Sequence, residues 1–578
     1  MTKAACTFPT ILCWVLSAFL SAPYAQFPET VHPGYSLVNV RPDSFEEGIG
    51  GMDFLPDGSL AICTWGGFKE IAGKVMVLSN LAAGPQGTKI RVLASGLDEP
   101  MGLKVQGNDI VFMQGSELSK IRIPGGDSMA QVVTLVNGWL MPVGKSEDWT
   151  YGPLFKDGDF YGTQGSWNNI GSTGGPIRGS WFKMTPGKGY EPLAGGLRSP
   201  NGIGFGPNGD MFATDNQGNW LPACKLIHLV KGRFYGHLNN YVSPFVKVPE
   251  SPPAVWVPYG TVGFSPSEPI LVPSGVYQGQ MLTGDVHFGG VQRYFLEKIN
   301  TPSGQAEYQG AVFRFTGGLD CGVNRLLYDK AGALYMGGVG GGGNWNWADK
   351  KFGIQKLVPN GKIPFDLLAV RSVTDGFELE FTKTAINAGV ATKYSLKHWR
   401  YLPTGDYGGS ELDKAQLTLV SATPSSDGKR VRLKVDGLKA GYVVHVKITG
   451  LQSETSEDLW SNQAWYTLNN LGPMNPVATG NSNPKSIASQ TNRFDNVRVV
   501  SGESSSLAFR IQSPGPFELQ IQTLQGHGIG QLHGRISGVF SWTGTTLTPG
   551  IYAYTLKSDG QAIQAGHFTT FHYPVGSK

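Results

Sequence analysis

The sequence predicts an all-β protein: a six-bladed β-propeller, then a β-sandwich domain, then a small C-terminal β-sandwich. Three observations carry this. A phrase of glycine, apolar strand, polar-Gly turn and second apolar strand recurs at a spacing near 50 residues, the length of a propeller blade. Beyond about Phe365 the pattern changes to strict apolar–polar alternation, the period of a half-buried strand. The composition, with 81 Gly, 11% aromatic and only 16% charged residues, suits a turn-rich sheet protein. At 578 residues the chain is too long for one core, so several domains are expected.

Residues 1–25 read as a signal peptide. Lys3 supplies the positive start, Phe8 to Leu20 is apolar but short for a bilayer, and small residues lead to a cut after Ala25. Cleavage removes Cys6 and Cys13. Cys63, Cys224 and Cys321 remain, too few for a disulfide framework, and are expected to be buried small hydrophobes with one bridge as an option.

Residues 26–360 are the expected propeller. The phrase runs Gly51 to Leu60 around Asp57-Gly58, then Met101 onward with Gly107-Asn108, then Tyr151 onward with Asp157-Gly158. It returns at Asn201 with Asn208-Gly209 and at Gly322 with Ala331-Gly332. Asp-Gly and Asn-Gly between apolar strands signal type I′ hairpins. The gap before the last copy leaves room for a degenerate one near Ser274 to Asp285. Residues 361–471, with Phe377 to Phe381 and Val431 to Val435 alternating, predict an Ig-like β-sandwich. Residues 472–491 are rich in Asn, Ser, Thr and Pro and read as a linker. Residues 492–578 form the last β unit.

Equivalent loops of a propeller meet on one face. The loops after the post-turn strands contain Trp65, Gln164 with Trp167, Asp215 to Trp220, Asp285 to His287, and Asn344 with Trp345. Trp65, Trp167, Trp220 and Trp345, with Gln164 and Asn344, suit a surface that stacks sugar rings or other small ligands; packing between blades is the other use of such tryptophans. Asp215, Asn216 and Gln217 offer oxygens to a hard cation such as Ca²⁺, with Asp285 in reach, or shape an Asx-turn. His287 beside Asp285 is the candidate general base, or a structural histidine. Arg198 and Arg325 suit a carboxylate clamp or an ordinary salt bridge.

The net charge of +4 gives no reason to expect a nucleic acid or other polyanion. Gly338 to Gly343 fits GxGxxG but lacks a βαβ setting. GxSxG, HExxH and Walker sequences are missing.

The stretches Leu197 to Phe205, Thr214 to Gly218 and Phe234 to His237 resemble the glucose/sorbosone dehydrogenase family of six-bladed propellers, over roughly Gly48 to Leu357. The resemblance implies pyrroloquinoline quinone, Ca²⁺ and oxidation of aldoses. It places Arg198 and Asn201 at the quinone and the loop after Asp215 at the metal; Gln217 and Arg325 complete the candidate cofactor set, and Asp215 and Asn216 are the candidate metal ligands. The family's catalytic His is missing from Asp148 to Leu154, and Gln164-Gly165 replaces the Gly-Asp expected after the next strand. A base from elsewhere, such as His287, would have to serve. Tyr308 to Phe315 and Gly343-Asn344-Trp345 resemble a distant branch found in polysaccharide-degrading bacteria.

Phe517 to Gln522 and Pro549 to Leu556 resemble a type IX secretion sorting domain. That implies engagement of a secretion machinery and release or attachment at the surface of a Gram-negative bacterium. An ordinary small β-sandwich, leaving the protein in the periplasm, is the alternative. Three functions follow as expectations: a quinone-dependent oxidoreductase on sugars or alcohols, a non-catalytic glycan- or protein-binding propeller, or a polysaccharide hydrolase or lyase on the same scaffold.

Overall fold

The computed structural model describes residues 30–65, 72–139, 148–167, 175, 177–238, 243–300, 306–340, 347 and 350–471, together with the strands between 497 and 570. The signal peptide and the linker lie outside the described residues. The chain divides into a large unit, reaching to Pro476 apart from residues 300–306, and a C-terminal unit from Val477.

The large unit contains six blades. Each begins with an innermost strand: Ile49–Phe54, Leu103–Gln106, Thr150–Lys156, Ile203–Phe205, Pro266–Leu271 and Gly322–Tyr328. Each inner strand contacts those of both neighbouring blades, so the ring is closed. Blades one to four are complete four-stranded antiparallel sheets in chain order. The degenerate copy is real: blade five turns between Leu271 and Met281.

Closure uses a strand the repeat did not reveal. Tyr35–Asn39 adds to Ile354–Pro359 as the outer strand of blade six, in the register Tyr35↔Pro359 to Asn39↔Gln355. The two ends of the propeller sequence therefore share one sheet.

The recurring leading glycine has a packing cause. Gly102 sits at φ 154°, and a Cβ there would come within 1.9 Å of the Gly152 carbonyl oxygen of the next blade. Inner strands approach too closely for a side chain. The turns are more varied than the sequence predicts. Both residues of Asp157-Gly158 and Asn208-Gly209 have positive φ, as type I′ requires, whereas in Asp57-Gly58 only the glycine does.

The sandwich is not a separate domain. Blade five's outer strand Ala306–Thr316 pairs with Gln463–Leu468, for example Val312↔Trp465, so one eight-stranded sheet runs from the propeller into the sandwich. The second sheet holds Leu367–Val373, Gly376–Phe381, Arg430–Asp436 and Thr418–Pro424. Phe377, Leu379, Val431 and Leu433 point into a core that also contains Ala311 and Phe313 of blade five. The alternation was legible; the shared sheet and core show that the segment after 361 packs as one body with blade five.

Cys63, Cys224 and Cys321 are all buried free thiols. Burial pushes the Cys63 thiol up to about 12, so it is inert at neutral pH.

The C-terminal unit has a three-stranded and a four-stranded antiparallel sheet. The two segments that carry the sorting-domain resemblance are neighbours in it, paired from Phe517↔Ser558 to Thr523↔Tyr552.

Candidate functional site

The channel at the centre of the propeller is filled by Arg325, which is 1% exposed. Its Nε donates to Gly50 O at 2.6 Å and its Nη2 to Met101 O at 2.9 Å. Its Nη1 donates to Asn201 Oδ1 at 2.9 Å, while Asn201 Nδ2 donates to Asn324 Oδ1 at 3.0 Å. Asn201, assigned by resemblance to the quinone, and Arg325, of the candidate cofactor set, are thus spent inside the channel, tying blades together. Above them Trp65, Met101, Trp149, Tyr151, Val286 and Val339 form a closed apolar cluster. Trp65 is fully buried there, edge-on to Trp149 at 5.3 Å, and is a core residue rather than a stacking platform.

The polar residues ending the second strands share one task. Asp215 Oδ1 accepts from the Ser199 and Asn216 amides, and Oδ2 from the Arg198 amide, at 2.7–3.0 Å. Asp285 does the same for Phe264, Ser265 and His287. Gln114 accepts from Asp98 N at 3.0 Å in blade two. Each pins the loop that leads into its own blade. The recurrence that reads as site chemistry is a loop clamp, the Asx-type alternative. Burial raises the Asp215 carboxyl to about 6 against the pull of these amides, and also pushes Asp285 up. Gln164 is fully buried at the equivalent position of blade three.

The Arg198 backbone is held by Asp215, and its Nη1 donates to Gln217 O at 2.8 Å. The guanidinium carbon lies 5.7 Å from the Trp167 ring centre and 5.2 Å from that of Tyr407, both within cation–π reach. Trp167 is 36% exposed and Tyr407 59%. Tyr407 comes from the sandwich. The loop that carries it lies on the blade-four loop: Trp220 N donates to Thr404 O at 2.7 Å, Asn219 Nδ2 to Gly405 O at 2.8 Å, and Gly408 N to Gly218 O at 3.0 Å. Trp220 is therefore half-buried under this arm. Gln217 turns back into its own loop, its Nε2 on Pro222 O at 3.1 Å.

His237 ties the two loops from below, its ring nitrogens 2.8 Å from Asn219 O and 2.9 Å from Ser166 O. Burial pulls its pKa down to about 3, so it is neutral. His287 is half-buried, 5.0 Å edge-on to Phe264, in blade five. Trp345 and Asn344 lie outside the described residues. Tyr407 was missed because it comes from the sandwich, and no repeat marks it.

Gly218 gives a test of this arrangement. A Cβ there would fall 1.8 Å from Arg198 Nε. Gly218→Ala is expected to displace the flexible Arg198 side chain with a stability loss of only about 1 kcal/mol, while ligand binding on this face is lost. Urea unfolding beside ligand titration checks both.

A polyanionic quinone with Ca²⁺ needs several cationic or amide donors and six to eight oxygen ligands, as a general rule. Of the candidate cofactor and metal residues, Asn201 and Arg325 are committed inside the channel and both Asp215 oxygens are taken by amides. Among the described residues no group of three or more His, Cys, Asp or Glu is placed to hold a metal. Asn216 Oδ1, buried without a hydrogen-bond partner, is the one oxygen of the candidate metal ligands left over, too few by itself for that cofactor pair.

No protein-family profile and no curated protein sequence matches the chain. Solved structures do resemble it. The PQQ-bound aldose sugar dehydrogenase of Streptomyces coelicolor is 14% identical, covering 57% of this chain and 99% of its own, at a TM-score of 0.40. A calcium structure of a Trichoderma reesei family AA12 carbohydrate-active enzyme is 12% identical, over 58% and 98%, at 0.40. The holo pyranose dehydrogenase PQQ domain of Coprinopsis cinerea is 13% identical, over 58% and 99%, at 0.38. At these values the matches carry no argument about activity, and the blade count rests on the strand pairing.

Proposed function

We propose that this protein binds a carbohydrate on the propeller face, in the cradle of Trp167, Arg198 and Tyr407. One observation carries the reading: a backbone-fixed guanidinium faces two aromatic rings that solvent can reach. A sugar ring needs an apolar surface under its C–H face and donors at its hydroxyl edge. The cradle supplies the apolar surface in Trp167 and Tyr407, with the buried Arg198 guanidinium within cation–π reach of both rings, while the Asp beside the candidate base is committed to amides. The chain acts as a binding propeller outside the cytoplasm, after removal of residues 1–25 and with the C-terminal unit engaging a secretion machinery.

Tryptophan fluorescence tests it. Hexoses and short glucans should quench the emission saturably, and Trp167→Ala should weaken binding about tenfold. No saturable response to any saccharide would refute the reading.

A quinone-dependent sugar dehydrogenase is the second reading. It is favoured by Asn216 Oδ1, which is buried with no hydrogen-bond partner in the loop the resemblance gives to the metal. Calorimetric titration with pyrroloquinoline quinone and Ca²⁺ separates the two. Tight binding lost in Arg198→Ala would favour the dehydrogenase; no heat under any metal condition favours the binding propeller.

A further inference from the structure

The chain enters the propeller through Thr30 to Gly34, which bonds to blade five on one side and to the end of blade six on the other. The His32 amide donates to Thr316 Oγ1 at 3.0 Å, and Thr30 O accepts from Gly317 N at 3.1 Å. Pro33 O and Gly34 O accept from Nδ2 and N of Asn360, each at 3.0 Å. Directly after these residues comes Tyr35–Asn39, the strand that closes the ring. His32 is the centre of this junction and is 1% exposed.

The hydrogen bonds fix which ring nitrogen carries the proton. The Gly34 amide donates to His32 Nδ1 at 3.1 Å, so Nδ1 is bare. The proton therefore sits on Nε2, which donates to Tyr277 Oη at 2.9 Å, and Tyr277 in turn donates to Asp366 Oδ2 at 2.6 Å. Asp366 belongs to the sandwich and is paired with Arg293 of blade five at 3.3 Å, both side chains fully buried. The rings of Tyr35, Tyr277, Phe315 and Trp460 surround the imidazole at 4.6–5.6 Å. The titratable or charged groups that face it are Tyr35 from its own segment, Tyr277 and Arg293 from blade five, and Asp366 from the sandwich. A second proton would have to enter at Nδ1, against the Gly34 N–H and beside the Arg293 charge. Burial pulls the His32 pKa down to about 4, with Arg293 adding to the pull and Asp366 opposing it.

We propose that His32 is an acid-sensitive latch on the closing strand: the neutral ring holds Tyr35–Asn39 on blade six, and a proton at Nδ1 breaks the Gly34 bond and releases that strand. The direction follows from linkage. In the opened form the solvated histidine returns to its ordinary value of 6.5, above the closed value, so the opened form takes the proton. Closure is undiminished above that value and weakens progressively as the pH falls toward about 4. The latch lies apart from the Arg198 cradle and does not depend on the cradle reading.

Hydrogen exchange of the full chain at about pH 7 and about pH 5, corrected for the intrinsic effect of pH on exchange, reads the latch. Protection of the peptide spanning Tyr35–Asn39 is expected to fall about twentyfold between the two, the linkage ratio for the two His32 values. Protection of the inner strand Ile49–Phe54 should hold. His32→Asn keeps an acceptor for the Gly34 amide, as in an Asx-turn, and cannot be protonated; its closing strand should respond little to pH. Protection of Tyr35–Asn39 that is unchanged at the lower pH, or that falls as far in His32→Asn, overturns the proposal. An equal fall at Ile49–Phe54 also overturns it. His228, His237 and His445 are likewise held neutral by burial, and general acid loosening would then account for the loss. The comparison of the two strands needs only the unaltered chain, so it decides the matter even if His32→Asn does not fold.

Discussion

Replacing Arg325 with methionine is expected to destabilise the folded chain by about 3–5 kcal/mol, the cost of breaking a buried charged network from one side. The guanidinium donates to carbonyls of blades one, two and six and to the Asn201 side chain of blade four. Tyr151 of blade three lies 6.0 Å from its carbon and Glu268 of blade five 4.0 Å from Nε. One side chain therefore touches every blade. Methionine fills similar space but leaves these acceptors unmet, and each buried unmet acceptor costs about 1–3 kcal/mol. It also removes the positive charge that opposes the upward push of burial on the Glu268 carboxyl. Lysine should recover only part of the loss, since an ammonium cannot reproduce the planar fork. Urea unfolding measures the effect. A loss under about 1 kcal/mol would mean that water serves the channel and that Arg325 does not hold the ring.

The second large effect is expected at Arg178. Its Nε donates to Asp148 Oδ2 at 2.6 Å, and both side chains are fully buried. Arg178→Met removes the charged partner of a fully buried carboxylate, a loss of about 3–5 kcal/mol. Asp148→Leu combined with Arg178→Met should restore most of it, because burying the pair is itself expensive. Asp148 lies in the segment where the family resemblance expects a catalytic histidine, so the result also bears on function. If the single variant is harmless, this pair is not what fixes the start of blade three. If the double variant is worse than the single, the pair does more than neutralise charge.

The blades were legible because most carry a glycine where inner strands touch and a turn where they reverse. Both leave a mark every 50 residues or so, as at Gly102 and Asp157-Gly158. The closing strand Tyr35–Asn39 was not legible, because a single added strand repeats nothing. Alternation revealed the sandwich, but no sequence pattern announces that Val312 will pair with Trp465. The site was read less well for one physical reason. Polar residues recur at blade ends both when they serve a ligand and when they clamp a loop, and Asp215 and Asp285 are placed as clamps. Trp65 and Trp167 stand at similar points of the first and third phrases, yet one is core and the other is 36% exposed. Exposure depends on neighbours that local sequence does not name, and Tyr407 is such a neighbour.

The most direct test of the central claim is a calorimetric titration of the full chain with the saccharide that quenches its fluorescence best, repeated with Tyr407→Phe and Tyr407→Ala. Tyr407 is exposed and belongs to the sandwich, so removing its ring should spare the propeller core. The account predicts near-normal affinity in the phenylalanine variant and a loss of about tenfold in the alanine variant, with the urea midpoint little changed. Saccharide binding that is indifferent to Tyr407→Ala would contradict it, because the cradle would then not be where the sugar sits.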